Sequence, residues 1–262
     1  MSTLAYAARD SRTMLRRNLL HVQRYPSMTL TLIGIPVIFL LLFVYVFGAT
    51  LGAGLGGTGG RAEYTNYVVP GILLMSIAVS ATSTAVSVAM DMTEGIIARF
   101  KTMAIFRPSV LTGHVLGSVI KTMLSLAVVI GIALLIGFRS NANPIEWLAA
   151  AGILAATALA ITWLSTAFGL ASKTVEGASN LPMPLILLPF LGSGFVPTES
   201  MPTAVQWFAK YQPFTPIMET VRGLLLGTGI GNNAWLAGGW CVAITVVSFV
   251  WAKKLYNRDP SR

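Results

Sequence analysis

The amino-acid sequence predicts an all-α polytopic membrane protein with six transmembrane helices, and three observations carry that reading. Of the 262 residues, 55% are hydrophobic and 10% charged, where a soluble domain carries about 25% charged residues. Charges are absent from Tyr25 to Gly60, Tyr64 to Met90, Trp147 to Ser172, Gly177 to Thr198 and Gly223 to Ala252. Each run reaches the roughly 20 apolar residues needed to cross a hydrocarbon core. A helix apolar all round must be buried on every side, which a soluble chain has no reason to demand five times over. The third observation is one-sided positive charge. With the N-terminus inside, Arg9, Arg12, Arg16, Arg17, Arg24, Arg99, Lys101, Arg107, Lys121, Lys173, Lys253, Lys254, Arg258 and Arg262 fall on the inner side. Only Arg61, Arg139, Lys210 and Arg222 fall outside, so both termini are expected in the cytoplasm. The formal charge of +9 therefore reports topology, and no nucleic-acid partner is expected.

Taken in chain order, residues 1–26 hold an amphipathic helix lying in the inner interface. Leu4, Ala8, Leu15 and Leu19 share one side, with Arg9, Arg12 and Arg16 mostly on the other. Pro26 turns the chain into the membrane. The apolar run that follows is too long for a signal-peptide core and has no clear small-residue cleavage site.

Spans one and two occupy residues 27–90. The first covers about 28 to 48 and is expected to kink at Pro36, which removes a ladder hydrogen bond. A mobile glycine-rich outer loop is expected over 48 to 60. The second span, about 67 to 90, places Ser76, Ser80, Ser83, Thr84 and Ser87 on one face. Small polar residues at this spacing favour close helix packing, with a substrate route as the alternative.

The inner loop 91–107 contains a short cytoplasmic helix whose Ile96, Ile97, Phe100 and Met103 form an apolar face. Spans three to five follow over 108–200. The third runs from about Gly117 to Phe138. Lys121 then sits about one turn inside, where its stem reaches back to the interface; a charge on a translocation route is the other reading. The fifth region carries Pro182, Pro184, Pro189 and Pro197 with Gly192 and Gly194 among them, so it cannot be a regular helix. Non-helical backbone at membrane depth is tolerated only where protein or a water-filled cavity satisfies it. Asn180, near the inner end, is a cavity candidate.

Residues 201–228 hold two apolar helical pieces, near 203–211 and 216–226, too short to span. Aromatic Trp207, Phe208, Tyr211 and Phe214 suit an interface, which predicts a re-entrant helical hairpin in the outer leaflet. Residues 229–262 supply the last span, about 233 to 252, and a cytoplasmic tail begun by the anchors Lys253 and Lys254.

Catalytic chemistry is not legible. Gly52, Gly54 and Gly57 have the spacing of a dinucleotide fingerprint but lack the strand and helix that give it meaning. No phosphate-loop sequence occurs, since Lys173-Thr174 follows Ser172. His21 and His114 have no ligand partners at metal-site spacing, so no metal site is expected. The single cysteine, Cys241, cannot form an intrachain disulfide.

The segment Glu94-Gly95-Ile96-Ile97-Ala98-Arg99-Phe100 resembles the coupling segment of type-2 ATP-binding-cassette exporter permeases. LGSGFVPTESMP, followed by QPFTPIMETVRGLLLG, resembles that family's C-terminal signature, in particular the daunorubicin-resistance-type drug-export branch. Arg24-Tyr25-Pro26 is similar to the family's basic-plus-proline approach to the first span. The resemblance follows the span order along essentially the whole chain.

It implies a single permease domain, 1–262, in a bacterial plasma membrane. A second permease subunit, forming a homodimer, and two cytoplasmic ATP-binding-cassette ATPase subunits would complete the machine, with membrane lipid around it. The chain itself would hold no cofactor, ATP and Mg being bound by the ATPases. Amphipathic drugs, lipids or related natural products are the implied cargo, and a polysaccharide or glycolipid is the alternative. An ATP-independent carrier is disfavoured by the scarcity of charges within the spans.

The resemblance casts Ile96, Ile97, Phe100 and Met103 as knobs for the ATPase surface, with Glu94 and Arg99 as polar partners and Gly95 relaxing the helix start. The plainer role is to hold the loop against the bilayer. Pro197, Pro202, Pro213, Pro216 and Arg222 would shape an outer gate. Ordinary turn geometry explains each proline as well, and Arg222 with Glu219 reads equally as a helix-surface pair worth ~0.5 kcal/mol.

Overall fold

The computed structural model describes residues 26–54, 60–94 and 108–257. The expected interfacial helix and most of the inner coupling segment lie outside the described residues. The elements, in order, are α1 (Pro26–Leu41), a π-helical turn (Leu42–Phe47), α2 (Gly48–Ala53), α3 (Gly60–Thr93), α4 (Pro108–Leu135) and α5 (Pro144–Ala171). Short helices α6 (Val175–Asn180) and α7 (Met183–Leu187), a 3-10 turn (Thr198–Ser200), α8 (Thr203–Tyr211), α9 (Phe214–Leu226) and α10 (Asn233–Tyr256) follow. No strand occurs among the described residues. Among the described residues, five helical stretches are long and apolar enough to cross a bilayer: Leu30–Ala53, Gly60–Thr93, Leu111–Leu135, Pro144–Ala171 and Asn233–Tyr256. The protein is a multi-pass α-helical membrane protein.

Helix α3 is the central mast. Tyr64, Ile72, Leu73, Leu74, Met75 and Ile77 are fully buried, and α1, α2, α4, α5, α6, α7 and α9 all pack on it. Its 34 residues run about 51 Å at 1.5 Å per residue, well beyond the roughly 30 Å hydrocarbon core. By contrast α10 leaves Trp235, Val242 and Val247 exposed, a surface suited to lipid tails. With no hydrophobic drive between helices in lipid, small residues decide the close contacts. A Cβ added at Gly169 on α5 would lie 2.6 Å from the Ala85 carbonyl oxygen of α3.

Three boundaries differ from the sequence expectation. The helix of the first span continues through Ala53, where glycine-rich sequence predicts loop. Gly52 lies directly against the Gly60 backbone, so α2 and the start of α3 meet where no side chain fits, and that contact outweighs glycine's poor helix propensity. Helix α3 starts at Gly60 rather than near 67. Helix α4 starts at Pro108 rather than near 117, which places Lys121 about 20 Å along its axis instead of one turn in.

The start of α5 is stapled. Asn143 Oδ1 accepts hydrogen bonds from the backbone N–H groups of Ile145 and Glu146, both at 2.9 Å, and Glu146 accepts from Asn143 N at 2.7 Å. This is a capping box, with Pro144 at the first helical position. Asn143→Ala is expected to lower stability by about 1 kcal/mol, measurable as a lower denaturation midpoint in detergent.

Proline and glycine break the chain after α5, as the sequence predicts. The stretch from Val175 to Pro197 consists of α6, α7 and successive turns, yet it follows α3 closely. Ala178 packs with Ala85 and Ala89, and the Phe195 carbonyl accepts the Tyr64 hydroxyl at 3.2 Å. These contact points are separated by about 30 Å along α3.

Candidate functional site

An irregular segment leaves carbonyl groups without helical partners, and each buried one must be satisfied. The satisfying donors come from elsewhere in the chain. Gln212 Nε2 donates to the Leu188 carbonyl at 2.9 Å. The Tyr67 hydroxyl and Arg222 Nη2 both donate to the Ser193 carbonyl, at 2.9 and 2.6 Å. Arg222 is buried, although the sequence allows an exposed helix pair with Glu219. It also donates through Nε and Nη2 to the Tyr67 carbonyl, at 3.4 and 3.2 Å, and through Nη1 to Glu219 Oε1. Its guanidinium carbon stands 3.9 Å from the Tyr67 ring centroid. One side chain thus ties α9, α3 and the irregular segment together. The planar fork of arginine suits such a junction, since it presents several donors in fixed directions.

Backbone contact completes the junction. A Cβ on Gly71 would lie 2.5 Å from the Gly194 carbonyl oxygen, just past the Pro70 position inside α3. Aromatic packing holds the same segment to the first span. Phe190 and Phe195 stack at 4.3 Å, Phe43 meets Phe195 at 4.5 Å, and Phe39 meets Phe190 edge-on at 5.9 Å. Residues 39, 43 and 47 recur every four positions, a helical phenylalanine face that sequence reasoning passed over.

Below this cluster a cavity of about 710 Å³ opens between α1, α3 and the irregular segment. Leu32, Ile35 and Phe39 line one side, Met75, Val79 and Val86 another, and Ile186, Leu187 and Phe190 the third. Its polar lining groups are Thr31, Thr82 and Ser83. Thr82 Oγ1 is buried without a hydrogen-bond partner. Such a group costs free energy, but its oxygen is closed off from the cavity, so the lining offers a guest mainly apolar surface. Toward the predicted outer side, a polar cavity of about 590 Å³ is lined by Tyr67, Ser193, Pro197, Lys210, Glu219 and Arg222, among others.

The predicted site residues divide as follows. Ser83 lines the apolar cavity. Ser76 and Ser80 are buried against α4 instead, hydrogen-bonded to Ser125 and Thr122. Ser87 is half-buried, and Asn180 is exposed at the end of α6. Pro197 lines the outer cavity, while Pro202 and Pro213 directly precede α8 and α9 and Pro216 is buried in the first turn of α9. Glu94 is exposed just beyond α3; Gly95, Ile96, Ile97, Arg99, Phe100 and Met103 lie outside the described residues. A contact that the sequence spacing hides is His114 Nε2 to Asp91 Oδ2, 2.8 Å, buried at the inner end of α3 and α4. Among the described residues, no group of three or more His, Cys, Asp and Glu side chains is placed to hold a metal ion.

Comparison with known proteins follows the same outline. Residues 9–226 match the ABC-2 type transporter family. The chain is 28% identical over 244 residues to "Daunorubicin resistance ABC transporter permease protein DrrB1" of Streptomyces coeruleorubidus, covering 92% of this chain and 81% of the relative. It is 26% identical over 244 residues to "Probable doxorubicin resistance ABC transporter permease protein DrrC" of Mycobacterium tuberculosis (strain CDC 1551 / Oshkosh), covering 90% and 86%.

Proposed function

The chain belongs to the ABC-2 type transporter family, and on that premise we propose that it is the transmembrane subunit of an exporter for amphipathic drugs, lipids or related natural products. The observation that carries the cargo class is the 710 Å³ cavity with its apolar lining. A polysaccharide chain needs many hydrogen bonds along its route, and the largely apolar lining of this cavity offers few.

In this reading the chain crosses the membrane six times, the irregular segment being the fifth crossing. Its track of about 30 Å beside α3 matches the hydrocarbon thickness. Both termini face the cytoplasm of a bacterial cell, in keeping with the excess of lysine and arginine on the inner segments. The N-terminal helix lies in the inner interface, and α8 with α9 forms the outer hairpin. A second copy closes the cavity, and two ATP-binding-cassette subunits, which hold ATP and Mg, dock on the segment containing Ile96, Ile97, Phe100 and Met103. Their nucleotide-driven closure moves that segment and switches the cavity between inner and outer access. Pro197, Pro202, Pro213, Pro216 and Arg222 shape the outer gate.

The test is copurification of the chain with candidate ATPases, followed by ATP-dependent uptake of daunorubicin or a fluorescent phospholipid into inverted vesicles. Phe100→Asp is expected to remove the ATPases from the complex and cut transport at least about tenfold, since it replaces an apolar anchor by a charge. Normal transport by the chain without any ATPase would sink the proposal. Thr82→Val tests the cavity separately. It is expected to raise stability by up to about 1 kcal/mol, because a buried unpaired hydroxyl is removed. Apparent affinity for an apolar cargo should stay within about twofold, because the lining keeps its apolar surface.

A further inference from the structure

The interface between α3 and α4 carries polar contacts at three levels. At the inner end Asp91 Oδ2 meets His114 Nε2 at 2.8 Å. Further along, Thr122 Oγ1 donates to Ser80 Oγ at 2.9 Å. Next, the hydroxyls of Ser76 and Ser125 lie 3.4 Å apart. The residue numbers fall along α3 as they rise along α4, which is the register of two antiparallel neighbours. All six side chains are buried. The contacts reach from residue 76 to residue 91 of α3, about 22 Å along its axis.

Such a ladder resists sliding. A shift of one helix past the other by a turn, about 5.4 Å, breaks every rung at once. The strongest rung stands where the two helices emerge toward the inner segment. This rung is a buried contact between two ionisable side chains, and such charge-assisted contacts are the strong ones. The apolar cavity lies on the side of α3 that faces α1 and α7. The irregular segment is held to α3 at its two ends, by Ala178 against Ala85 and Ala89 and by Tyr64, Tyr67 and Gly71 at residues 193–195. Helix α7 lies between those ties, and α1 receives a long bond from the pair, Ser125 Oγ to the Leu32 carbonyl at 3.4 Å.

We propose that α3 and α4 move as one rigid arm during transport, with Asp91 and His114 as positioning residues that keep its inner end closed. The cavity then changes shape by movement of α1 and α7 against the arm, not by separation of α3 from α4. This rests on the exporter reading above and adds which helices stay together.

Crosslinking tests the arm directly. Ser80→Cys with Thr122→Cys, in a chain whose only cysteine, Cys241, is changed to Ala, places two thiols at positions now 2.9 Å apart, within reach of a disulfide. ATP-dependent transport of daunorubicin or a fluorescent phospholipid by the oxidised complex should stay within about twofold of the same complex reduced, because a rigid arm does not need to open. A loss of about tenfold or more on oxidation, reversed by reductant, overturns the proposal. The positioning role is read in the ratio of transport to ATP hydrolysis. Asp91→Asn and His114→Gln, each in a complex that retains its ATPases, are expected to lower that ratio about tenfold. The exchanged pair Asp91→His with His114→Asp should recover most of it. An unchanged ratio in both single variants overturns the role. Absence of ATP-dependent transport in the unmodified chain would instead contradict the exporter reading.

Discussion

Replacing Arg222 with alanine is expected to destabilise the folded chain by about 3 kcal/mol and to abolish transport. Each hydrogen bond from a charged donor contributes about 1.5–3 kcal/mol, and Arg222 supplies bonds to the Tyr67 and Ser193 carbonyls as well as Glu219. The Ser193 carbonyl keeps the Tyr67 hydroxyl after the change, and Glu219 is partly exposed, so neither is fully stranded. What disappears is the tie between α9 and α3. Arg222→Lys should recover little, because an ammonium on a flexible stem cannot reach both carbonyls and stack on the Tyr67 ring. Tyr67→Phe provides a graded comparison, since it removes a single neutral hydrogen bond worth about 1 kcal/mol. Denaturant midpoints in detergent, with transport measured in parallel, check the order alanine, lysine, phenylalanine.

The second large effect is expected at Gly71. Glycine to alanine inside a helix ordinarily stabilises, by about 1 kcal/mol. Here the added methyl meets backbone, 2.5 Å from the Gly194 oxygen and 2.8 Å from its carbonyl carbon and Cα. Backbone cannot rotate aside as a side chain can, so the irregular segment must move away from α3. Overpacking of this kind costs about 1–3 kcal/mol, and Gly71→Leu should cost more. Gly131→Ala on α4 is the matched control, because nothing lies within 4 Å of its added Cβ. Opposite signs of the two stability changes would establish that close approach, and not flexibility, is what Gly71 supplies. Equal signs would refute it.

The charge-free runs made the long helices legible, and the prolines made the break after α5 legible. The two short helices expected near 203–211 and 216–226 are found at Thr203–Tyr211 and Phe214–Leu226, where Pro202 and Pro213 punctuate the chain. Helical continuation through Gly48–Ala53 was not legible, because glycine reads as loop until its partner Gly60 is in place. Arg222 shows why the junction was hidden too. Two of its acceptors are backbone carbonyls, which every residue has and no pattern distinguishes. Asp91 and His114 are separated by 22 intervening residues, and only the pairing of α3 with α4 brings them together. The cavity is a product of three elements at once, so its lining carries no local signature beyond apolarity.

The borrowed donors of the irregular segment impose an order on biogenesis. A regular span leaves the translocon with its own hydrogen bonds already made. The stretch from Val175 to Pro197 does not, since the Leu188 carbonyl depends on Gln212 and the Ser193 carbonyl has only the Tyr67 hydroxyl until Arg222 arrives; the ribosome has yet to synthesise either later donor. Insertion of this stretch is therefore provisional until α9 emerges and docks on α3. Nascent chains halted before residue 212 should remain crosslinkable to the insertion machinery, whereas chains extended past residue 226 should be released from it. A part of the chain made later thus completes a segment that began well before it.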